Sequence, residues 1–228
     1  MIIYGKQVCI YALNHHSSKI RTIYLSKRDL LPKNLFREFG SKIKLIENRW
    51  AQSMSRGGNH QGILIDIDDI EFVPFDEVKS GDFILLLDTL TDAGNIGAII
   101  RTAYALGVDS VVVTGIGSLN LEAVARTSAG ALLDMPIALR KNGADALNEL
   151  KQSGFRVYGA SMEGIEVENK SFAKKRVLVV GSEDKGLSKK VKSHIDEIVS
   201  ITMHRPFDSL NVSVATAIIL HRMSYAIK

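Results

Sequence analysis

Apolar residues in this chain come in short blocks whose spacing alternates between a strand-like and a helix-like period. The clearest block is residues 83–88, Phe-Ile-Leu-Leu-Leu-Asp, a continuous apolar run of the kind that forms a strand buried on both faces. After it the pattern predicts a helix over 95–106, a strand over 111–113, helices over 119–129 and 144–152, and strands over 155–160 and 177–180. A short helix over 187–191, a strand over 198–201 and a long apolar helix over 209–226 complete the series. Such alternation implies a mostly parallel sheet covered on both faces. The last helix is apolar around nearly its whole circumference, which points to deep burial or a subunit interface. Upstream, strands at 20–25, 43–46 and 62–67 alternate with helices at 5–14, 34–39 and 48–54, a smaller α/β module. Acidic residues 66–71, Pro74 and the turn-forming Lys79-Ser80-Gly81-Asp82 separate the two patterns. The expected organisation is a small α/β domain over 1–70, a linker over 71–81 and a larger α/β domain over 82–228.

Composition narrows the class. Hydrophobic residues make up 46% of the 228 and charged residues 24%, which suits a folded globular protein rather than a disordered one. No apolar run reaches the roughly 18 residues of a membrane span, and residues 1–6 lack the layout of a secretory signal, so the expected location is cytoplasmic, with no membrane partner. Cys9 is the only cysteine, and the six histidines are scattered, so neither a disulfide framework nor a metal site is expected. Residues 1–60 hold 11 Lys and Arg against 3 Asp and Glu, a net of +8, within a total of +4. A basic module joined to a slightly acidic one suits a phosphate-backbone ligand. Trp50, near Arg49 and Arg56, has the chemistry to stack on a base, although an apolar anchor for the small domain is the favoured reading of this residue.

Three loops have the residues for chemistry. The first, residues 88–97, follows the strand 83–88. Asn95 stands there at a helix start, with Gly97 and Arg101 beyond it, and ligands of open α/β sheets bind beyond strand carboxyl ends. The dinucleotide spacing G-x-G-x-x-G is absent. The second is Gly181-Ser182-Glu183-Asp184-Lys185-Gly186-Leu187. Leu187 stands where a triphosphate-binding loop needs lysine, so a different small ligand is indicated. The third spans 201–215 and includes Ile201, Met203, Ser209, Leu210 and Asn211 ahead of the closing helix.

Together these loops resemble the three motifs of the SpoU (TrmH) branch of the SPOUT RNA methyltransferases, in order and spacing, over residues 83–225. Asp92, Asn95, Gly97, Arg101 and Ala103 match the first motif. Gly181-Ser182-Glu183 with Gly186-Leu187 match the second. Ile201, Met203 and the run Ser209-Leu210-Asn211-Val212-Ser213-Val214-Ala215 match the third. Residues 128–131 and 135–136 also look like the family. Ala93 and Thr202 replace prolines usual in it, and Arg205 stands where glycine is common. Tyr4-Gly5-Lys6-Gln7-Val8 and His60-Gln61-Gly62-Ile63 resemble the substrate-binding domain fused ahead of many members, a fold similar to a ribosomal RNA-binding protein.

The resemblance implies a SPOUT domain closed by a deep trefoil knot, although knots are nearly absent among proteins. It implies S-adenosylmethionine as donor, S-adenosylhomocysteine as product and no metal. It also implies a homodimer with the closing helix at its interface, and transfer of a methyl group to a ribose 2′-oxygen of RNA. The closest members methylate a guanosine of large-subunit rRNA; tRNA as substrate, or a non-catalytic RNA-binding role on the same fold, are the alternatives. Carried over by position, the catalytic residues are Arg101, Asn95, Glu183, Ser209 and Asn211. The donor positions are Thr114, Gly115, Gly117, Gly181, Ile201, Met203 and Leu210. The RNA contacts are Arg56, His60, Gln61 and Arg101.

Overall fold

The computed structural model describes residues 1–205 and 208–227, so Pro206 and Phe207 of the third loop lie outside the described residues. In chain order the elements are β1 (Ile2–Tyr4), α1 (Lys6–His15), β2 (Ile20–Leu25), α2 (Lys33–Glu38), β3 (Ile43–Leu45), α3 (Asn48–Met54) and β4 (Ile63–Ile67). There follow α4 (Phe75–Val78), β5 (Phe83–Asp88), α5 (Ala93–Ala105), β6 (Ser110–Thr114), α6 (Leu121–Thr127), β7 (Ile137–Arg140) and α7 (Gly143–Gln152). The chain closes with β8 (Arg156–Glu166), β9 (Arg176–Val180), α8 (Lys189–Lys192), β10 (Glu197–Ser200) and α9 (Val212–Tyr225). Two compact units result: Met1–Glu71 with Asn120–Asp134, and Phe72–Leu119 with Met135 onward.

The first unit is built on a four-stranded sheet of order β1-β4-β2-β3. β4 runs antiparallel to β1 and β2, while β3 is parallel to β2. The carboxyl ends of β1, β2 and β3 therefore share one end of the sheet with the start of β4. Residues 120–134 complete this unit through side chains. Tyr11 donates to Asp134, His16 Nε2 lies 3.2 Å from the same carboxylate, and the Arg126 guanidinium sits 5.8 Å from the centre of the Tyr4 ring. Gly130, at φ +102, packs so tightly on Tyr11 that a Cβ there would meet its ring at 2.7 Å.

The second unit has a parallel six-stranded sheet of order β10-β8-β9-β5-β6-β7. Every residue of β5 is buried. Ile84 and Leu86 belong to a core with Val112, Val177 and Val179, closed by Ala146, Leu147 and Leu150 of α7. Those α7 residues recur at the spacing of one helix face, and Asn142 caps the helix by accepting from Ala144 N at 3.1 Å. α9 packs against α5 and β9.

Several elements depart from the sequence pattern. β1 and β7 have three and four residues, too few to display a period. β8 runs on to Glu166 through Met162, Glu163 and Gly164, a polar stretch without strand signature. α9 begins at Val212 rather than 209, because Asn211 is its cap. Trp50, expected as an anchor, is 60% exposed; the α3 residue that fills the core is Ala51, beside Tyr4 and Leu64.

Candidate active site

Three segments remote in sequence meet in the second unit through one hydrogen-bonded cluster. α5 is capped by Asp92, whose Oδ1 accepts from Asn95 N at 2.7 Å. This leaves the Asn95 side chain at the helix start, pointing away from its own backbone. Its Nδ2 donates to Glu183 Oε1 at 3.2 Å, and its Oδ1 accepts from Asn211 Nδ2 at 3.0 Å. Asn211 Nδ2 also donates to Glu183 Oε1 at 2.8 Å, and Val212 N reaches the same oxygen at 3.4 Å. Meanwhile Asn211 Oδ1 caps α9 by accepting from Ser213 N at 2.9 Å and Val214 N at 3.4 Å. Glu183 Oε1 thus collects three N–H donors, an arrangement that fixes the carboxylate in one orientation.

Glu183 also stands at the edge of a cavity. Its walls are Gly181, Ile201, Met203, Leu210 and Ile219, together with Ala160, Ser161 and Met162. Of the last three, Ala160 is expected from sequence only as the end of a strand, and Ser161 and Met162 lie beyond it. The pairing of β8 with β10 explains their position. Ile198 pairs with Gly159, but the next residue, Val199, pairs with Ile165. Residues 160–164 are left out of register, and three of them turn to line the cavity. The signal for them was the rule applied to the other loops, that ligands sit beyond strand carboxyl ends. Gly181 is required by close approach: a Cβ there would meet the Gly186 backbone at 2.2 Å. The loop folds back on itself, with Gly186 N donating to Ser182 O at 2.8 Å.

The structure therefore brings together Asn95, Glu183 and Asn211, and sets Ser209 on the same cavity as Glu183. It gathers Gly181, Ile201, Met203 and Leu210 there as well. Thr114, Gly115 and Gly117 lie elsewhere. They are at and beyond the end of β6, which is two strands from β9 in the sheet, about 10 Å at ordinary strand spacing. Gly115 lines a separate cavity with Asp88, Thr89 and Gly143. Arg101 is exposed, about 9 Å along the α5 axis from Asn95, and its side chain forms no hydrogen bond or ion pair among the described residues.

In the first unit, His60 is 6% exposed and its Nδ1 accepts from Gly62 N at 2.9 Å. Its ring fixes the loop before β4 and is not placed to touch RNA. Gln61, at φ +53, accepts at Oε1 from Lys6 N at 2.8 Å, so its amide ties that loop to the start of α1. Arg56 is exposed and lies 3.5 Å from Glu122. No group of metal-ligating side chains occurs among the described residues, and no helix among them is long and apolar enough to cross a membrane.

Known proteins agree with this geometry. Residues 82–221 match the SpoU rRNA Methylase family, and residues 2–73 match the model for RNA 2′-O ribose methyltransferase substrate binding. A protein of Archaeoglobus fulgidus described as an uncharacterized tRNA/rRNA methyltransferase is 39% identical over 158 residues, which is 68% of this chain and 70% of the relative. The match to a similarly described Mycobacterium ulcerans protein, at 36% identity over 71% of this chain, spans only 54% of that relative's length. Among solved structures, the SpoU methyltransferase AviRb of Streptomyces viridochromogenes, in complex with AdoMet, superposes with a TM-score of 0.78 at 24% identity, over 98% of this chain and 89% of its own. The TrmH/SpoU tRNA modifying enzyme of A. aeolicus is 30% identical, with a TM-score of 0.57 over 66% of this chain and 79% of its own. With both models matched in order along its length, this chain belongs to the SpoU rRNA methylase family.

Proposed function

We propose that the chain is an S-adenosylmethionine-dependent methyltransferase acting on a ribose 2′-oxygen of RNA, with a guanosine of large-subunit rRNA as its target. The observation that carries this reading is the Asn95–Glu183–Asn211 cluster at the edge of an apolar cavity. The cavity suits the donor: Ile201, Met203, Leu210 and Ile219 offer apolar walls, and the folded-back Gly181–Gly186 turn brings backbone groups close. When bound, S-adenosylmethionine supplies a methyl group activated by its sulfonium.

A ribose hydroxyl is a poor nucleophile at neutral pH, so it must be positioned, and the proton it loses as the methyl group is transferred passes to solvent water. Glu183 is a positioning residue in this scheme. Its Oε1 is held by three donors, and Oε2, which has no hydrogen-bond partner among the described residues, is left to accept from a substrate donor. Ser209 shapes the cavity edge. An arginine guanidinium is a cation with donors and no acceptor, so the task of Arg101 is to bind the neighbouring phosphate and stabilise the developing alkoxide. The strand order β10-β8-β9-β5, with Ile201, Met203, Ser209, Leu210 and Val212 lining the same cavity as residues 160–162, supports a knotted carboxyl-terminal segment. The apolar outer face of α9 supports a homodimer. A cytoplasmic location goes with this reading.

The basic amino-terminal unit, matched to a model for RNA 2′-O ribose methyltransferase substrate binding, supports an RNA substrate. The test is transfer of labelled methyl from S-adenosylmethionine to large-subunit rRNA and, separately, to bulk tRNA, both from cells lacking the gene, with ribose methylation mapped afterwards. A single 2′-O-methylguanosine in rRNA is expected. Methylation of tRNA alone overturns the substrate, and failure to bind the donor overturns the chemistry.

A further inference from the structure

The small sheet of the first unit has its charges sorted between its two ends. At the end where β4 finishes, two cations are paired with acids and a third donates to the backbone. Arg21 Nη2 lies 2.8 Å from Asp68, the amino terminus lies 2.7 Å from Asp69, and Lys42 Nζ donates to Ile20 O at 2.7 Å. At the opposite end, where β1, β2 and β3 finish, Lys6, Lys27, Arg28 and Arg49 stand near Asp29 and Glu47, and these four cations form no ion pair among the described residues. The sheet direction alone brings them together, because the three parallel strands all end there.

Two further features occur at this basic end. Beyond β2, Arg28, Asp29, Leu31, Lys33, Phe36 and Arg37 line a recess of about 420 Å³. Its floor is apolar, and Arg28, Lys33 and Arg37 have no acidic partner among the described residues. On the neighbouring strand β3, Leu45 is 51% exposed, and beyond it Trp50 is 60% exposed. A tryptophan left this far in water gives up the burial that usually stabilises it. Fixed aromatic faces among unpaired cations are what single-stranded nucleic acid requires: π-faces for its bases and positive charge for its backbone.

We infer that this end of the first unit binds an unpaired segment of the RNA substrate, with one base stacked on Trp50 and another nucleotide of the segment in the Phe36 recess, its phosphates on Arg28, Lys33 and Arg37. The inference rests on the proposed RNA methyltransferase activity and names the part of the substrate that the amino-terminal unit takes. A duplex cannot use these faces, because its bases are already stacked; a loop or bulge can.

Trp50 is the only tryptophan, so its emission reports this surface directly. The full chain is titrated with a mixed-sequence single-stranded RNA of about 12 nucleotides, following tryptophan emission and, with a labelled copy, anisotropy. The expected result is quenching that tracks binding, affinity about tenfold weaker in Trp50→Ala, and near-normal affinity in Trp50→Phe. Arg28→Gln and Arg37→Gln should each lower the salt dependence of log affinity by about 0.7. Anisotropy that rises while Trp50 emission stays unchanged, or Trp50→Ala binding like the parent chain, overturns the inference and leaves the methyltransferase reading standing. Absence of any RNA binding also overturns it, and calorimetry with S-adenosylmethionine then decides whether that reading stands.

Discussion

The Asn211 side chain divides its two polar atoms between different tasks. Oδ1 caps α9, and Nδ2 bridges Asn95 and Glu183. The two can be separated by mutation. Asn211→Ser keeps a capping oxygen and deletes the amide donor, so it should melt near the parent temperature and lose most methyl transfer. Asn211→Ala removes both, and should in addition lose about 1 kcal/mol of stability in denaturant titrations. A serine variant with full turnover would show that the bridge does not matter. Arg101→Ala should reduce turnover by about 10²–10³-fold while calorimetry shows unchanged donor binding, since Arg101 touches neither the cavity nor the cluster. The residues of the cluster were legible as motif positions, but their hydrogen bonds join positions 88 and 116 apart in the chain, which no local pattern encodes. The same limit explains Thr114, Gly115 and Gly117. A glycine turn after a strand looks alike in sequence at every strand, and only strand order decides which of these turns border one cavity.

Among the elements, α9 buries Val212, Thr216, Ile219, Leu220 and Met223 on one side. On the other, Val214 is 49%, Ile218 38% and Tyr225 73% exposed, and the Tyr225 ring lies 5.1 Å from that of His221. These positions recur at helical spacing, so the apolar residues form a stripe rather than scattered points. If a second copy covers the stripe, Ile218→Glu should give monomers in sedimentation equilibrium, where the parent chain gives dimers; an unchanged mass would rule the stripe out as the interface. The all-round apolar character of this helix was visible in sequence, and the two faces were not, because both are equally apolar. Strands with continuous apolar runs, β5 above all, were read correctly for the same physical reason that they sit centrally: burial on both faces leaves no polar position. The out-of-register part of β8 was not legible, since Ser161-Met162-Glu163-Gly164 has the composition of a loop although it runs within a strand.

For the molecule as a whole, acid sensitivity should concentrate on the β10 edge of the larger sheet. Burial raises the Glu197 carboxyl, but hydrogen bonds from Lys170 and Arg156 outweigh it, leaving Glu197 below the usual carboxylate range. Burial likewise raises Asp196, and its bonds from Lys151 and Val157 N bring it below that range as well. A carboxyl held low in the folded state stabilises above its unfolded pKa of about 4, and that contribution disappears as pH falls through the lowered value. Melting temperature should therefore be flat near neutrality and fall below pH ~4. Glu197→Gln should start lower and fall less steeply; equal slopes in the two chains would remove Glu197 from the account.

The interleaved units, Met1–Glu71 with Asn120–Asp134 and the remainder, bear on how such a protein can be taken apart. The backbone passes from one unit to the other after residues 71, 119 and 134, so no single scission frees a whole unit. A fragment ending at Glu71 would lack the residues that meet Tyr4, Tyr11 and His16, and a fragment beginning at Phe72 would carry Leu121–Thr127 with no β1 to rest on. Shuffling amino-terminal modules between relatives would have to exchange two stretches at once, and a swap at the acidic boundary alone would join halves that were never shaped for each other.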